Sequence, residues 1–243
     1  MKKVIYVLLI LLLIGSMLIS SSLLYKEFKE NKEQEAVFEE LIELVEISNN
    51  ENEESFADYS TIFDKNEDMV AWIKIDGTTI DYPVMQTKNK PNYYLYRNFY
   101  KEYSSYGTPY IFENCNIFES DNITIYGHNM DNRDMFGELV KYKAKDFYND
   151  HKIIKFTTKE ESCNYEIIAV FKTKVYSQNC FKYYQFIKAN DSGEFNAFIS
   201  KCKELSFYDT EVSAEYGDKL ITLSTCEYSG KNSRLVIVAK KLN

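Results

Sequence analysis

The chain has 243 residues, enough for one substantial domain with an appendage or for two small ones, and its 45% hydrophobic and 16% aromatic content excludes a largely disordered protein. Eight glycines and three prolines exclude a collagen-like repeat and a proline-rich linker architecture, and no fixed-period repeat is visible. A net charge of -8 has the wrong sign for a face that neutralises phosphates, so no nucleic acid is expected as a partner.

Lys2 and Lys3 precede an uncharged apolar run over residues 4–24, which as a helix is about 31 Å long and crosses a bilayer. A signal peptide cleaved near Ser20 or Ser22 is the rival, but its apolar region usually spans only about 7 to 15 residues, so an uncleaved anchor is preferred. The two lysines favour a single-pass arrangement with the amino terminus cytoplasmic and everything after Tyr25 extracellular. Residues 1–25 are therefore a first unit, cytoplasmic lysines plus membrane anchor.

Residues 26–66 form a second unit, a helical and polar extension. In it Phe28, Val37, Phe38, Leu41, Ile42, Leu44, Val45 and Ile47 recur at roughly helical spacing, most simply as a face packed on the next domain. Residues 49–54 form a polar break. From Met69 the pattern turns β-like: residues 70–75 and 79–84 flank an Asp76-Gly77 turn, and further runs lie at 108–112, 123–126, 153–157, 165–176, 219–225 and 235–240. A helix over residues 193–205, with Ser192 as its cap, interrupts them. Many short strands with few helices predict a mainly β fold, a closed or nearly closed barrel over the third unit, residues 67–243.

Five cysteines outside the cytoplasm permit disulfides, but Cys115, Cys163, Cys180 and Cys202 lack zinc-ribbon or CxxC spacing, and no pairing follows from the sequence. Cys226 is different, because it ends an apolar β-run and precedes a polar loop, which exposes a thiol at the end of a strand. A cysteine nucleophile needs a base or cation nearby and a donor facing the oxyanion. Arg234 opens the next β-run and lies beside Cys226 if the two strands pair. Of the two histidines, His128 follows a strand and a glycine, Gly127, that lets the backbone turn towards a cleft, whereas His151 sits in a polar loop.

Thr222-Leu-Ser-Thr-Cys226, followed by Arg234 and Leu-Val-Ile-Val-Ala-Lys240, with Tyr126-Gly-His128-Asn129-Met130 upstream, resembles a sortase, the cysteine transpeptidase of Gram-positive cell surfaces. Trp72-Ile-Lys-Ile-Asp-Gly77, Ile80-Asp-Tyr-Pro83-Val84, Tyr94-Leu95 and Met135-Phe136-Gly-Glu-Leu139 resemble class B members in particular, as does the helix ahead of the cysteine strand. The resemblance spans roughly residues 67–241. It implies an eight-stranded sortase-like β-barrel with His128, Cys226 and Arg234 converging at one end of a groove.

It also implies a reaction, in which Cys226 attacks the Thr carbonyl of a sorting pentapeptide near the carboxyl end of a surface protein. His128 protonates the departing amine, Arg234 and the backbone N–H of Glu227 hold the oxyanion or peptide, and an amine of a peptidoglycan stem peptide or lipid II resolves the thioester. No cofactor and no metal are implied. Ser224, Asn92 and Leu95 are expected against the peptide, and Tyr183 and Tyr184 are expected to line the groove or the core. A membrane-tethered cysteine hydrolase and a non-enzymatic wall-protein binding module are the alternatives.

Overall fold

The computed structural model of the chain describes residues 2–49, 59–176 and 180–242, so most of the expected polar break at 49–54 lies outside the described residues. α1 (Lys2–Asn49) is one continuous helix, without interruption where the apolar run gives way to Glu and Lys near Tyr25. Its apolar part packs against nothing among the described residues and is long and apolar enough to cross a membrane. Farther along, Gln34, Phe38, Leu41 and Val45 are buried, a spacing that puts all four on one helix face. That face lies on the barrel, as the stripe predicted, while Phe28 stays exposed. A short helix, α2 (Ser60–Phe63), adds Ile62 and Phe63 to the same core.

Eight strands close into a barrel: β1 (Met69–Lys74), β2 (Asp81–Met85), β3 (Tyr110–Ile111), β4 (Asn122–Tyr126), β5 (Ile153–Thr157), β6 (Ser162–Lys174), β7 (Leu220–Glu227) and β8 (Ser233–Lys241). Around the barrel the order is β1-β2-β3-β4-β7-β8-β6-β5, and β5 pairs back on β1. Most pairings are antiparallel, but β2 runs parallel to β3 and β4 runs parallel to β7. The Asp76-Gly77 turn is real, with Gly77 at φ +76, a left-handed conformation that favours glycine.

Two expected strands are shorter or shifted for local reasons. β2 starts at Asp81 because the N–H and hydroxyl of Thr79 both donate to the Glu138 carboxylate (2.6 and 2.8 Å). β3 keeps two residues of the expected five. Pro109 has no N–H for a ladder, and its carbonyl accepts instead from Met85 N–H at 2.9 Å.

β8 explains its own uninterrupted apolar sequence. Leu235, Ile237 and Ala239 belong to the barrel interior, while Val236 and Val238 belong to a second cluster beneath α4 (Ser192–Leu205), which contributes Phe195, Phe198, Ile199 and Cys202. A strand buried on both faces has no need of polar alternation. The cap of α4 is Asp191, whose carboxylate accepts from Glu194 N–H at 2.9 Å, so the expected Ser192 cap is displaced by one residue. A 3-10 stretch (Gly137–Lys143) and α3 (Lys145–Asp150) join β4 to β5, and neither is announced by periodicity.

Candidate active site

Strand register brings the three expected polar groups to one place. β4 pairs in parallel with β7 from Asn122↔Leu220 to Tyr126↔Ser224, so both chains leave the sheet at the same end. The pairing continues past β4, because Gly127 N–H donates to Ser224 O at 3.2 Å and the Thr225 hydroxyl donates to Gly127 O at 2.8 Å. Two residues beyond Tyr126 lies His128, and two beyond Ser224 lies Cys226. On the other side of β7, Cys226 is the cross-strand partner of Arg234 on β8.

Side-chain alternation puts all three on one face. Ile123 and Ile125, Ile221 and Leu223, Leu235 and Ile237 point into the barrel. The intervening positions therefore point outward, as the Thr222 hydroxyl donating to Asn122 Oδ1 (2.7 Å) shows. By that parity Cys226 and Arg234 share the outer face, where directly opposed residues have Cβ atoms about 5 Å apart, and His128 continues the outer row of β4.

His128 is half-buried, and its Nε2 lies 2.7 Å from Leu95 O. A carbonyl oxygen only accepts, which assigns the proton to Nε2 and leaves Nδ1 with the lone pair. Burial lowers the imidazole below its ordinary range, partly opposed by the bond to Leu95, and so disfavours the charged form. The glycine before it is required by close approach rather than by a turn, since a Cβ at Gly127 would stand 2.6 Å from the Phe136 ring. Asn129, unnoticed in the sequence except as part of a motif, donates from Nδ2 to Cys226 O at 2.8 Å and ties the histidine loop to the cysteine strand. The Tyr228 hydroxyl in turn donates to Asn129 O at 2.6 Å.

Cys226 is half-buried, and the Arg234 guanidinium, also half-buried, donates to Ser233 O at 3.0 Å. Cys115, Cys163, Cys202 and Cys226 carry free thiols in the structure. Burial pushes the Cys115, Cys163 and Cys202 thiols upward, away from the reactive thiolate form. His151 lies elsewhere, stacked on Phe147 with Nδ1 2.8 Å from Phe147 O.

A cleft of about 350 Å³ opens beside Arg234, lined by Asn92, Leu95, Tyr110, Tyr126, Tyr183 and Tyr184 among others, and neither Cys226 nor His128 is among its lining residues. Asn92, Leu95 and Tyr184 line this cleft, and Tyr183 belongs both to its wall and to the cluster under α4. Ser224 does not line the cleft: it is 1% exposed and its hydroxyl is engaged by the Tyr183 hydroxyl at 2.6 Å. It braces a wall residue, so contact with a peptide through its hydroxyl is not what this arrangement provides. Glu227 likewise turns its side chain away from the cleft into an ion cluster with Lys143 Nζ (2.6 Å) and Lys172 Nζ (3.0 Å). Burial would raise this carboxyl, but hydrogen bonds from Lys143, Ser229 and Lys172 prevail and bring it to about 2. These lysines gave no sequence signal, because each is remote from Glu227 along the chain.

A half-buried thiol paired across the strands with a guanidinium that lines an aromatic cleft, with an imidazole at the end of the neighbouring strand, is a set of groups suited to nucleophilic attack on a carbonyl. A family model described as "Sortase domain" matches residues 73–242. The chain is 32% identical to Sortase B of Listeria monocytogenes serovar 1/2a, over 95% of this chain and 94% of that protein. It is 30% identical to Sortase B of Staphylococcus aureus, over 95% and 93% respectively. Among solved structures, a Staphylococcus aureus sortase B-substrate complex superposes with a TM-score of 0.79 at 28% identity, covering 88% of this chain and 99% of that one. Clostridium perfringens sortase B gives 0.71 at 28% identity, covering 76% of this chain and 100% of that one.

Proposed function

The chain belongs to the sortase family, with the class B cysteine transpeptidases of the cell wall, and on that premise we propose that Cys226, His128 and Arg234 transfer a sorting-signal-bearing surface protein to a peptidoglycan amine. The observation that supports this reading is register: the parallel β4–β7 ladder and the Cys226↔Arg234 pair carry the strands that hold His128, Cys226 and Arg234 to the same end of the barrel.

In the proposed reaction the neutral His128 imidazole takes the Cys226 proton at Nδ1, the nitrogen left free by Leu95. The thiolate then attacks the Thr carbonyl of a sorting pentapeptide held in the aromatic cleft. Negative charge develops on that oxygen next to Arg234, which stabilises it, with the Glu227 backbone N–H as a second donor. Collapse breaks the C–N bond, and the proton held by His128 goes to the departing amine, leaving a thioester on Cys226. An amine of a stem peptide or lipid II, giving up its proton to His128, opens the thioester and restores the thiol. A thioester is reactive enough for this without metal or nucleotide.

In this reading residues 1–25 anchor the chain in the membrane with the amino terminus cytoplasmic. Residues 26–66 are the extension and residues 67–243 the extracellular catalytic barrel, and Asn92, Leu95 and Tyr184 contact the peptide. The test is incubation of the full chain in detergent with a panel of sorting pentapeptides, with and without an amine. The expected result is an amide product that requires the amine. Peptide cleavage with no amide at any amine concentration establishes a hydrolase instead.

A further inference from the structure

α1 reaches the site from two directions. Gln34, 4% exposed, accepts from the Ser104 hydroxyl through Oε1 (2.8 Å) and points Nε2 at Gly107 O (3.5 Å). Gly107 in turn presses on the segment that holds the histidine. It adopts φ +60, and a Cβ there would stand 2.4 Å from Leu95 O and 2.6 Å from Tyr94 O. Leu95 O is the acceptor of His128 Nε2. Thr108 N–H, next to Gly107, donates to Tyr94 O at 3.0 Å and locks the two segments together.

The second route ends on the backbone of the same histidine. Phe38 of α1 packs on the Tyr82 ring at 4.9 Å between centroids, and the Tyr82 hydroxyl accepts from Met135 N–H at 3.3 Å. The next residue, Phe136, donates its N–H to His128 O at 2.8 Å. One helix face therefore braces both the ring acceptor and the backbone of His128. We propose that Gln34 is a positioning residue: docking of α1 through Gln34, Ser104 and Gly107 holds Leu95 O where it fixes the tautomer and orientation of His128. This deepens the reading above, which takes His128 as the acid–base group, and makes the helix that enters the membrane part of the active-site scaffold.

The chain's two histidines permit a clean test, because His128 is held as the Nε2–H tautomer by Leu95 O and His151 as the Nδ1–H tautomer by Phe147 O. The full chain in detergent micelles, labelled with 15N-histidine, is compared as wild type, Gln34→Leu and Ser104→Ala. In both variants the His128 Nε2–H signal is expected to broaden or disappear while His151 is unchanged. With a sorting peptide and amine, kcat falls roughly tenfold or more and KM moves less than about twofold. Should Gln34→Leu disturb both histidines through undocking of the helix, Ser104→Ala decides. An unaltered His128 signal with wild-type kcat in Ser104→Ala overturns the proposal. The nitrogen spectrum is read without substrate, so a wild-type chain inactive on every peptide refutes the transpeptidase reading and leaves the positioning result standing on its own.

Discussion

At the scale of single residues, the site depends on matching chemistry to a fixed geometry. Arg234 offers a planar cation with several donors beside Cys226, and a lysine replaces that fork by a point charge on a flexible stem. Arg234→Lys is expected to lower kcat/KM by about 10- to 100-fold, measured with a sorting peptide and a saturating amine. His151→Ala is the internal control and leaves kcat/KM within about twofold, since that ring stacks on Phe147, away from the cleft. A lysine variant with wild-type kcat/KM removes Arg234 from the chemistry. Cys226, His128 and Arg234 were legible in the sequence because each stands at the edge of a recognisable β-run. The roles of Ser224 and the Glu227 side chain were not, because their partners, the Tyr183 hydroxyl and Lys143 and Lys172, come from distant segments.

Among the elements, the decisive contact is the clamp that holds the end of β7. Glu227 follows Cys226 and joins the 3-10 stretch (through Lys143), β6 (through Lys172) and the β7–β8 loop, where Ser229 donates from N–H (3.2 Å) and hydroxyl (2.7 Å). Its carboxylate is held near 2 in the folded chain against an ordinary value of 4.5, so the folded state binds this proton less readily than the unfolded state. The resulting stability is complete above about pH 4.5 and drains away as pH falls towards 2. Glu227→Gln is expected to cost about 1–3 kcal/mol at pH 7, the partly exposed lysines limiting the loss by solvent screening. In urea titrations the gap between wild type and variant should narrow between pH 4.5 and 2, and a gap independent of pH contradicts the clamp. At this scale the apolar runs foretold all eight strands, and β5 to the residue. The parallel pairing of β4 with β7 was beyond reach, because pattern sets which residues form strands and tertiary packing sets which strands are neighbours.

For the whole molecule, the continuous α1 joins an exposed apolar segment to a face that buries Phe38, Leu41 and Val45 on the barrel. Each such side chain contributes about 1.5–3 kcal/mol, so the barrel is docked to the helix rather than trailing from a loose tether. Composition and periodicity foretold both segments of that helix, but not that they form a single unbroken rod. In the proposed relay the whole chain briefly carries part of its substrate on Cys226. Intact-mass measurement of the full chain mixed with a sorting peptide tests it most directly. The expected result is an adduct whose added mass is that of the peptide up to and including Thr less one water, absent in Cys226→Ala and discharged by added amine into a peptide amide. An adduct that persists in Cys226→Ala, or peptide turnover unchanged in that variant, would contradict it.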